Sequence, residues 1–278
     1  MYKFLIFALF LATASACADT GKLGDGGQVQ KDLKVGTEGG VIVDSGVSPD
    51  GLNFGKAVVY AHTADKLYQV DPETLQITEI GPFTWPGDAD RMTDLAVDRT
   101  GKIIGISKQT VYEVDPNTAA CKTLATAKRY FVGLSFVQQA GNKEFLMGID
   151  KSGGDVYSVD PLTGSSTLIG NFGGGLLASG DVVSVKGFGT VATVVKGSQA
   201  PTDHLARIDE KTGKATLIGD TGYSKIWGLG FWKNKLYGFT EKAEFVTIDV
   251  NTGAAQLVQQ GGGAWWGAGV TTSAPVIN

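Results

Sequence analysis

Chemistry in this chain has few sources, because its 278 residues include only two histidines and two cysteines. No C-x-x-C or H-E-x-x-H spacing occurs, so no zinc site can be read from the sequence. There is no nucleophile elbow or phosphate loop, and "GFGT" (187–190) and "GNFGGG" (170–175) lack the helix that a dinucleotide fingerprint needs. What remains is carboxylates and aromatic rings. Asp94 and Asp181 are hard oxygen donors that could hold Ca²⁺ together with backbone carbonyls and water. A second set comprises Trp85, Tyr130, Tyr223, Trp227, Trp265 and Trp266, with Asp88, Asp90, Arg91, Arg129 and Lys225 among them. Flat apolar rings bordered by a few charges suit a glycan, a peptide or another small amphipathic ligand.

Whether these groups converge depends on the elements that carry them, and those elements repeat. "LYQVDPETLQITEIG" starts at Leu67, "VYEVDPNTAACKTLA" at Val111, "VYSVDPLTGSSTLIG" at Val156, "LARIDEKTGKATLIG" at Leu205 and "FVTIDVNTGAAQLVQ" at Phe245. Their aspartates, Asp71, Asp115, Asp160, Asp209 and Asp249, fall at intervals of 40 to 49 residues. Each interval holds four short apolar runs separated by turn residues, which is the period of a propeller blade. The first copy lacks a first strand, and the chain ends with a spare one, "WWGAGVT", at 265. The fold expected is therefore all-β: a five-bladed propeller over 55–273 in which the C-terminal strand completes the first blade, followed by a tail at 274–278. No helix is expected within the repeats.

In D-P-x-T-G the proline presets φ, the aspartate accepts N–H groups across the turn, and the glycine takes a left-handed position. A residue that recurs at one hairpin in every copy reads as a turn staple, so the five aspartates are assigned no catalytic role. Gly164, Gly213 and Gly253 fill the left-handed slot, while the copies with Leu75 and Ala119 have no glycine there, so those two turns are either strained by roughly 1 kcal/mol each or shaped differently.

Strand direction then sorts the loops. Loops between second and third strands share a face with those between a fourth strand and the next first strand. On that face the copies stop resembling each other, which is where a site is expected. It carries the aromatic and charged set above, although Trp227 and Trp266 also align within first strands, where a ring can wedge between blades. Asp94 and Asp181 hold equivalent positions at the start of first strands, where the other blades have Gly133, Gly228 and Gly267. Besides binding a cation in the channel, they could bond free N–H groups at strand edges. His62 and His204 fall in blades that are not neighbours, so they form no catalytic pair.

The repeat resembles the L-Y-x-[IV]-D-P-x-T-G repeat of secreted bacterial propeller proteins, and more distantly the YVTN, NHL and WD40 propellers, over about residues 56–272. That resemblance implies the architecture and is nearly silent on activity.

At the N-terminus, Lys3, the apolar run "FLIFALFLATA" and the small residues of "ASAC" describe a signal peptide over 1–16. Ala16-Cys17 matches the end of a lipobox, except that Ala14 stands where leucine is usual. Lipidation of Cys17 (palmitate among its acyl chains) and ordinary cleavage after Ala14-Ser15-Ala16 are the two readings. The following Gly-, Asp- and Lys-rich segment, to residue 54, reads as a flexible tether. The location expected is the cell envelope, with a lipid anchor in the outer membrane, or, if cleavage is ordinary, a soluble periplasmic or secreted protein. Ala18, where an aspartate would favour inner-membrane retention, points to the outer membrane. Cys121 falls in a fourth strand and reads as a small buried hydrophobe. A formal charge of −4 with no basic cluster argues against a nucleic-acid partner. Three functions stay open: a binding module for a protein, peptide or glycan; a metal-dependent propeller hydrolase of the lactonase type; and a structural envelope component.

Overall fold

The computed structural model describes residues 58–277 except 152 and 199. The signal peptide (1–16), Cys17 and the tether (17–54) lie outside the described residues. In chain order the strands of the first blade are β1 (Val59–His62), β2 (Lys66–Val70) and β3 (Ile77–Pro82). The second blade is β4 (Asp94–Val97), β5 (Ile103–Ile106), β6 (Thr110–Val114) and β7 (Cys121–Thr126). The third is β8 (Phe131–Gln138), β9 (Glu144–Asp150), β10 (Asp155–Val159) and β11 (Ser166–Asn171). The fourth is β12 (Leu176–Val185), β13 (Gly189–Lys196), β14 (His204–Ile208) and β15 (Ala215–Asp220). The fifth is β16 (Ile226–Trp232), β17 (Lys235–Thr240), β18 (Glu244–Ile248) and β19 (Ala255–Gln260), after which comes β20 (Gly267–Val270). The one helical element among the described residues is a three-residue 3₁₀ turn, Ala140–Asn142.

The strands form five four-stranded antiparallel sheets, so the chain is a five-bladed β-propeller. β20 does not begin a sixth sheet. It pairs antiparallel with β1, with Val59 opposite Val270 and His62 opposite Gly267. The pairing removes the open edge that β1 would otherwise present. Trp265, just ahead of β20, is fully buried and meets Tyr68 of blade 1 edge-on at 5.1 Å and Phe239 of blade 5 at 5.5 Å. The C-terminal residues therefore close both the ladder and the apolar seam.

Burial falls from the axis outward. First strands β4 and β20 are buried at every position, whereas the fourth strands are half-buried or exposed throughout β3, β11, β15 and β19. Inner strands are covered on both faces by neighbouring blades, so they read as unbroken apolar runs such as "IIGI". Cys121 is the exception on its outer strand: it is buried, and burial pushes its thiol up to about 12.

The turn aspartates behave as staples. Each accepts the N–H two residues ahead through Oδ1: Glu73 at 3.0 Å, Asn117 at 2.8 Å, Leu162 at 2.9 Å, Lys211 at 3.0 Å and Asn251 at 2.9 Å. The fifth residue of every turn is left-handed, Leu75 (φ 61°) and Ala119 (φ 58°) included, so the turn shape is kept without glycine. At Gly213 a second demand appears. A Cβ there would stand 2.9 Å from the backbone of Gly170, at the end of the preceding blade's fourth strand. The turns thus also seat against their neighbours. In blade 1 the seat is on blade 5: Trp232 Nε1 donates to Glu73 at 3.0 Å and Tyr237 Oη to the Pro72 carbonyl at 3.1 Å.

Residues expected as a tail dock as well. Ala274 is buried, and Lys233 N–H donates to the Pro275 carbonyl at 2.9 Å.

Candidate functional site

First strands have no partner on their axial side, so their N–H groups there need acceptors. Asp94 and Asp181 supply them. Asp94 accepts the N–H of Leu95 at 2.8 Å and that of Leu134, in the next blade, at 2.5 Å. Asp181 accepts Val182 N–H and Leu229 N–H, each at 2.6 Å, and Ala268 N–H also favours its charge. Those five amides come one from each blade, directly after the positions Asp94, Gly133, Asp181, Gly228 and Gly267. Two carboxyls therefore tie five blades together at the axis. The glycines make room: a Cβ on Gly133 would stand 2.9 Å from the Gly180 carbonyl, and one on Gly267 would strike Asp94 and His62.

Both carboxyls are fully buried and hydrogen-bond each other. Burial, and for Asp94 next the charge of Asp181, hold them well above the ordinary carboxylate range, so the pair retains a proton. His62, also fully buried, donates from Nδ1 to the Thr63 carbonyl, 2.8 Å away. A carbonyl only accepts, so Nδ1 carries the proton and Nε2 faces Asp94 Oδ1 at 3.8 Å with no hydrogen-bond partner. Burial lowers the imidazole to about 4. With a neutral ring beside a protonated pair, this contact is not an ion pair. His62 lies opposite Gly267 in the ladder, the slot that Ile106, Ile149 and Phe239 fill in blades 2, 3 and 5. Comparing the copies slot by slot would have exposed it.

Immediately above this layer the channel opens into a cleft of about 350 Å³. Thr93 and Gly180, the residues preceding the two aspartates, lie at its base. Its walls are Tyr130, Val132, Lys151, Ala178, Ser179, Trp227 and Trp266. Trp227 and Trp266 meet edge to face with centroids 6.2 Å apart. The Lys151 ammonium sits 4.6 Å from the centre of the Tyr130 ring, and Lys225 is 5.6 Å from that of Trp227. Residues come from first-strand starts and from the second-to-third loop of blade 3, on the face expected from strand direction. Ser179 is fixed by donating to Asp203 at 2.6 Å, while Asp203 also accepts Ile226 N–H at 2.7 Å.

Of the residues singled out in the sequence, Tyr130 and Trp266 line the cleft, and so does Trp227, whose alignment suggested a wedge. Lys225 and Arg129 stand outside its wall. Lys225 pairs with Glu241, and Arg129 lies 4.4 Å over Tyr157 and 3.6 Å from Asp150. Trp265 needs correction: it is core, not surface, because its ring fills the seam between blades 5 and 1. Trp85 packs on Phe83 at 5.5 Å and Tyr112 at 5.1 Å, and Asp90 accepts the Tyr112 hydroxyl at 2.8 Å. Asp88 and Arg91 are exposed on the same loop, and none of these four lines the cleft. Tyr223 is half-buried, its carbonyl taken by Asp203 N–H at 2.7 Å. Nothing in residue type or spacing marks Lys151, Thr93 or Ser179, which stand in or beside segments of unlike length from blade to blade. Among the described residues no group of three or more His, Cys, Asp or Glu side chains could hold a metal ion.

No protein-family model matches the chain, and no curated protein does. Among solved structures it is similar to a protein of unknown function from Bacteroides caccae, with 10% identity over 74% of this chain and 73% of that one. The TM-score is 0.42, too weak a likeness to inform the site.

Proposed function

We propose that this propeller is a binding module that takes a small amphipathic ligand in the cleft at the mouth of its channel. The observation that carries the reading is the convergence there of Tyr130, Trp227 and Trp266 around a base formed by Thr93 and Gly180. Its volume lies at the small end of ligand sites, and half-exposed rings facing a cleft are unused packing surface. The module would work at the cell envelope, tethered by a lipid on Cys17 and the segment up to residue 54. What supports the anchor is the small-residue–cysteine pattern after an apolar run.

A hydrolase with Ca²⁺ in the channel fits the donor set poorly. The carboxyl oxygens of Asp94 and Asp181 are turned to N–H dipoles and share a proton, and both features oppose a cation. The test is a thermal-shift and NMR screen of soluble sugars, amino acids and short peptides against wild type, Trp227→Ala and Trp266→Ala. Hits on the wild type that both variants lose support the cleft. Hits that both variants keep refute it.

A further inference from the structure

The cleft is chemically one-sided. No aspartate or glutamate is among its lining residues, and its single charge is Lys151. The neighbouring cations are already committed, Arg129 to Asp150 and Lys225 to Glu241, whereas Lys151 forms no ion pair with a described residue. The nearby acid, Asp203, is buried and turned away to Ser179 and Ile226 N–H. The free polar groups that remain are mainly donors: the Lys151 ammonium, the indole N–H groups of Trp227 and Trp266, and the Tyr130 hydroxyl, which also accepts. None of these has a hydrogen-bond partner among the described residues. An anionic group on a ligand would gain a charge contact with this ammonium that a neutral sugar lacks, and a cationic ligand would be repelled by it.

We propose that the ligand is a sugar ring bearing a carboxylate, an inference that rests on the cleft being the binding site. The two indoles, set nearly at right angles (83°), offer one face and one edge to a pyranose. Ring C–H groups pack on the face of one indole while hydroxyl oxygens accept from N–H donors. The carboxylate lies towards the Lys151 ammonium, which sits 4.6 Å from the centre of the Tyr130 ring. Lys151 N–H donates to the Tyr130 carbonyl at 3.0 Å, which fixes the lysine backbone independently of its charge. Lys151 is exposed, so its substitution tests recognition without touching the core.

The experiment is isothermal titration calorimetry of the full mature chain with D-glucuronate, D-galacturonate and N-acetylneuraminate. Neutral controls are D-glucose and D-galactose, and benzoate and indole-3-acetate serve as aromatic acids. At least one sugar acid is expected to bind about tenfold more tightly than its neutral counterpart, the worth of one partly exposed charge contact. Lys151→Gln should bring the ratio of acid to neutral affinity close to one, and Lys151→Arg should restore the preference. Equal binding of acid and neutral sugars, tighter binding of an aromatic acid, or no sugar acid binding overturns the proposed class. None of these outcomes touches the cleft reading, which stands or falls with the effect of Trp227→Ala and Trp266→Ala in the wider screen.

Discussion

Replacing Asp94 with alanine separates the two tasks of the axial carboxyl pair. The side chain accepts two buried amides, Leu95 N–H at 2.8 Å and Leu134 N–H at 2.5 Å. Each donor left unsatisfied costs about 1–3 kcal/mol, so the loss is about 2–6 kcal/mol from a total of roughly 5–15. Proton linkage acts in the opposite direction. Both folded-state values lie above the ordinary 3.8, so the folded protein holds protons that the unfolded chain releases. That contribution is fully present below 3.8 and is lost as pH rises through the folded values, with a slope of up to about 1.4 kcal/mol per unit for each retained proton. Alanine removes the raised titration of Asp94 itself, and Asp181, still held up by burial and without the Asp94 hydrogen bond that lowers it, is then the one retained proton of the pair. Urea unfolding at pH 5, 6, 7 and 8 reads both effects. The wild type should weaken steadily across the series, and Asp94→Ala should be less stable at pH 5 with a flatter dependence. A variant as stable as the wild type, with an unchanged pH slope, would refute the account of the axis.

Truncation after Gly263 removes Trp265, the four ladder pairs of β20 and the Trp266 N–H bond to the His62 carbonyl. The product should aggregate, and a soluble, cooperatively melting protein would contradict closure. Trp265→Ala should cost about 3–5 kcal/mol in urea unfolding, as expected for a fully buried aromatic, without preceding loss of binding at the cleft. Two further contributions act in acid. The imidazole contribution, present above 6.5 and lost as pH falls through about 4, offsets part of what the axial pair gains over that range. Below 3.8, where the pair's contribution no longer changes, the turn aspartates, held below 3.8 by hydroxyl and N–H donors, lose theirs, and a melting temperature that does not fall from pH 3.8 downward would exclude that loss. Mass spectrometry of the mature N-terminus should find a diacylglyceryl group on Cys17, and an unmodified Cys17 in a soluble periplasmic fraction would end the lipid-anchor reading.

The ring was legible because its rule is local and repeated. A turn aspartate every blade, four apolar runs between, and one strand missing at the start but spare at the end are enough to count five blades. The equivalence of Asp94, Asp181 and the three glycines was legible for the same reason, since first strands align without gaps. The partners of those carboxyls were harder to choose, because an axial acid can face a cation or an amide until the neighbouring blade is placed. The cleft was legible only as a face. Its rings come from three blades, and which ones turn inward is set by packing across seams: Trp265 and Trp266 are adjacent in sequence, yet alternation sends one to the core and the other to the mouth. Lys151 was not distinguishable from Lys225 by type or spacing, because what separates them is the ion pair that Lys225 makes with Glu241.

The most direct test of the mouth as binding site is a crystal of the protein soaked with the monosaccharide acids and their neutral counterparts. Ligand density is expected in the cleft, against Trp227 and Trp266 and within reach of the Lys151 ammonium. Ordered density confined to the D-P-x-T-G turns or to the outer strands, with the cleft left to solvent, would contradict it.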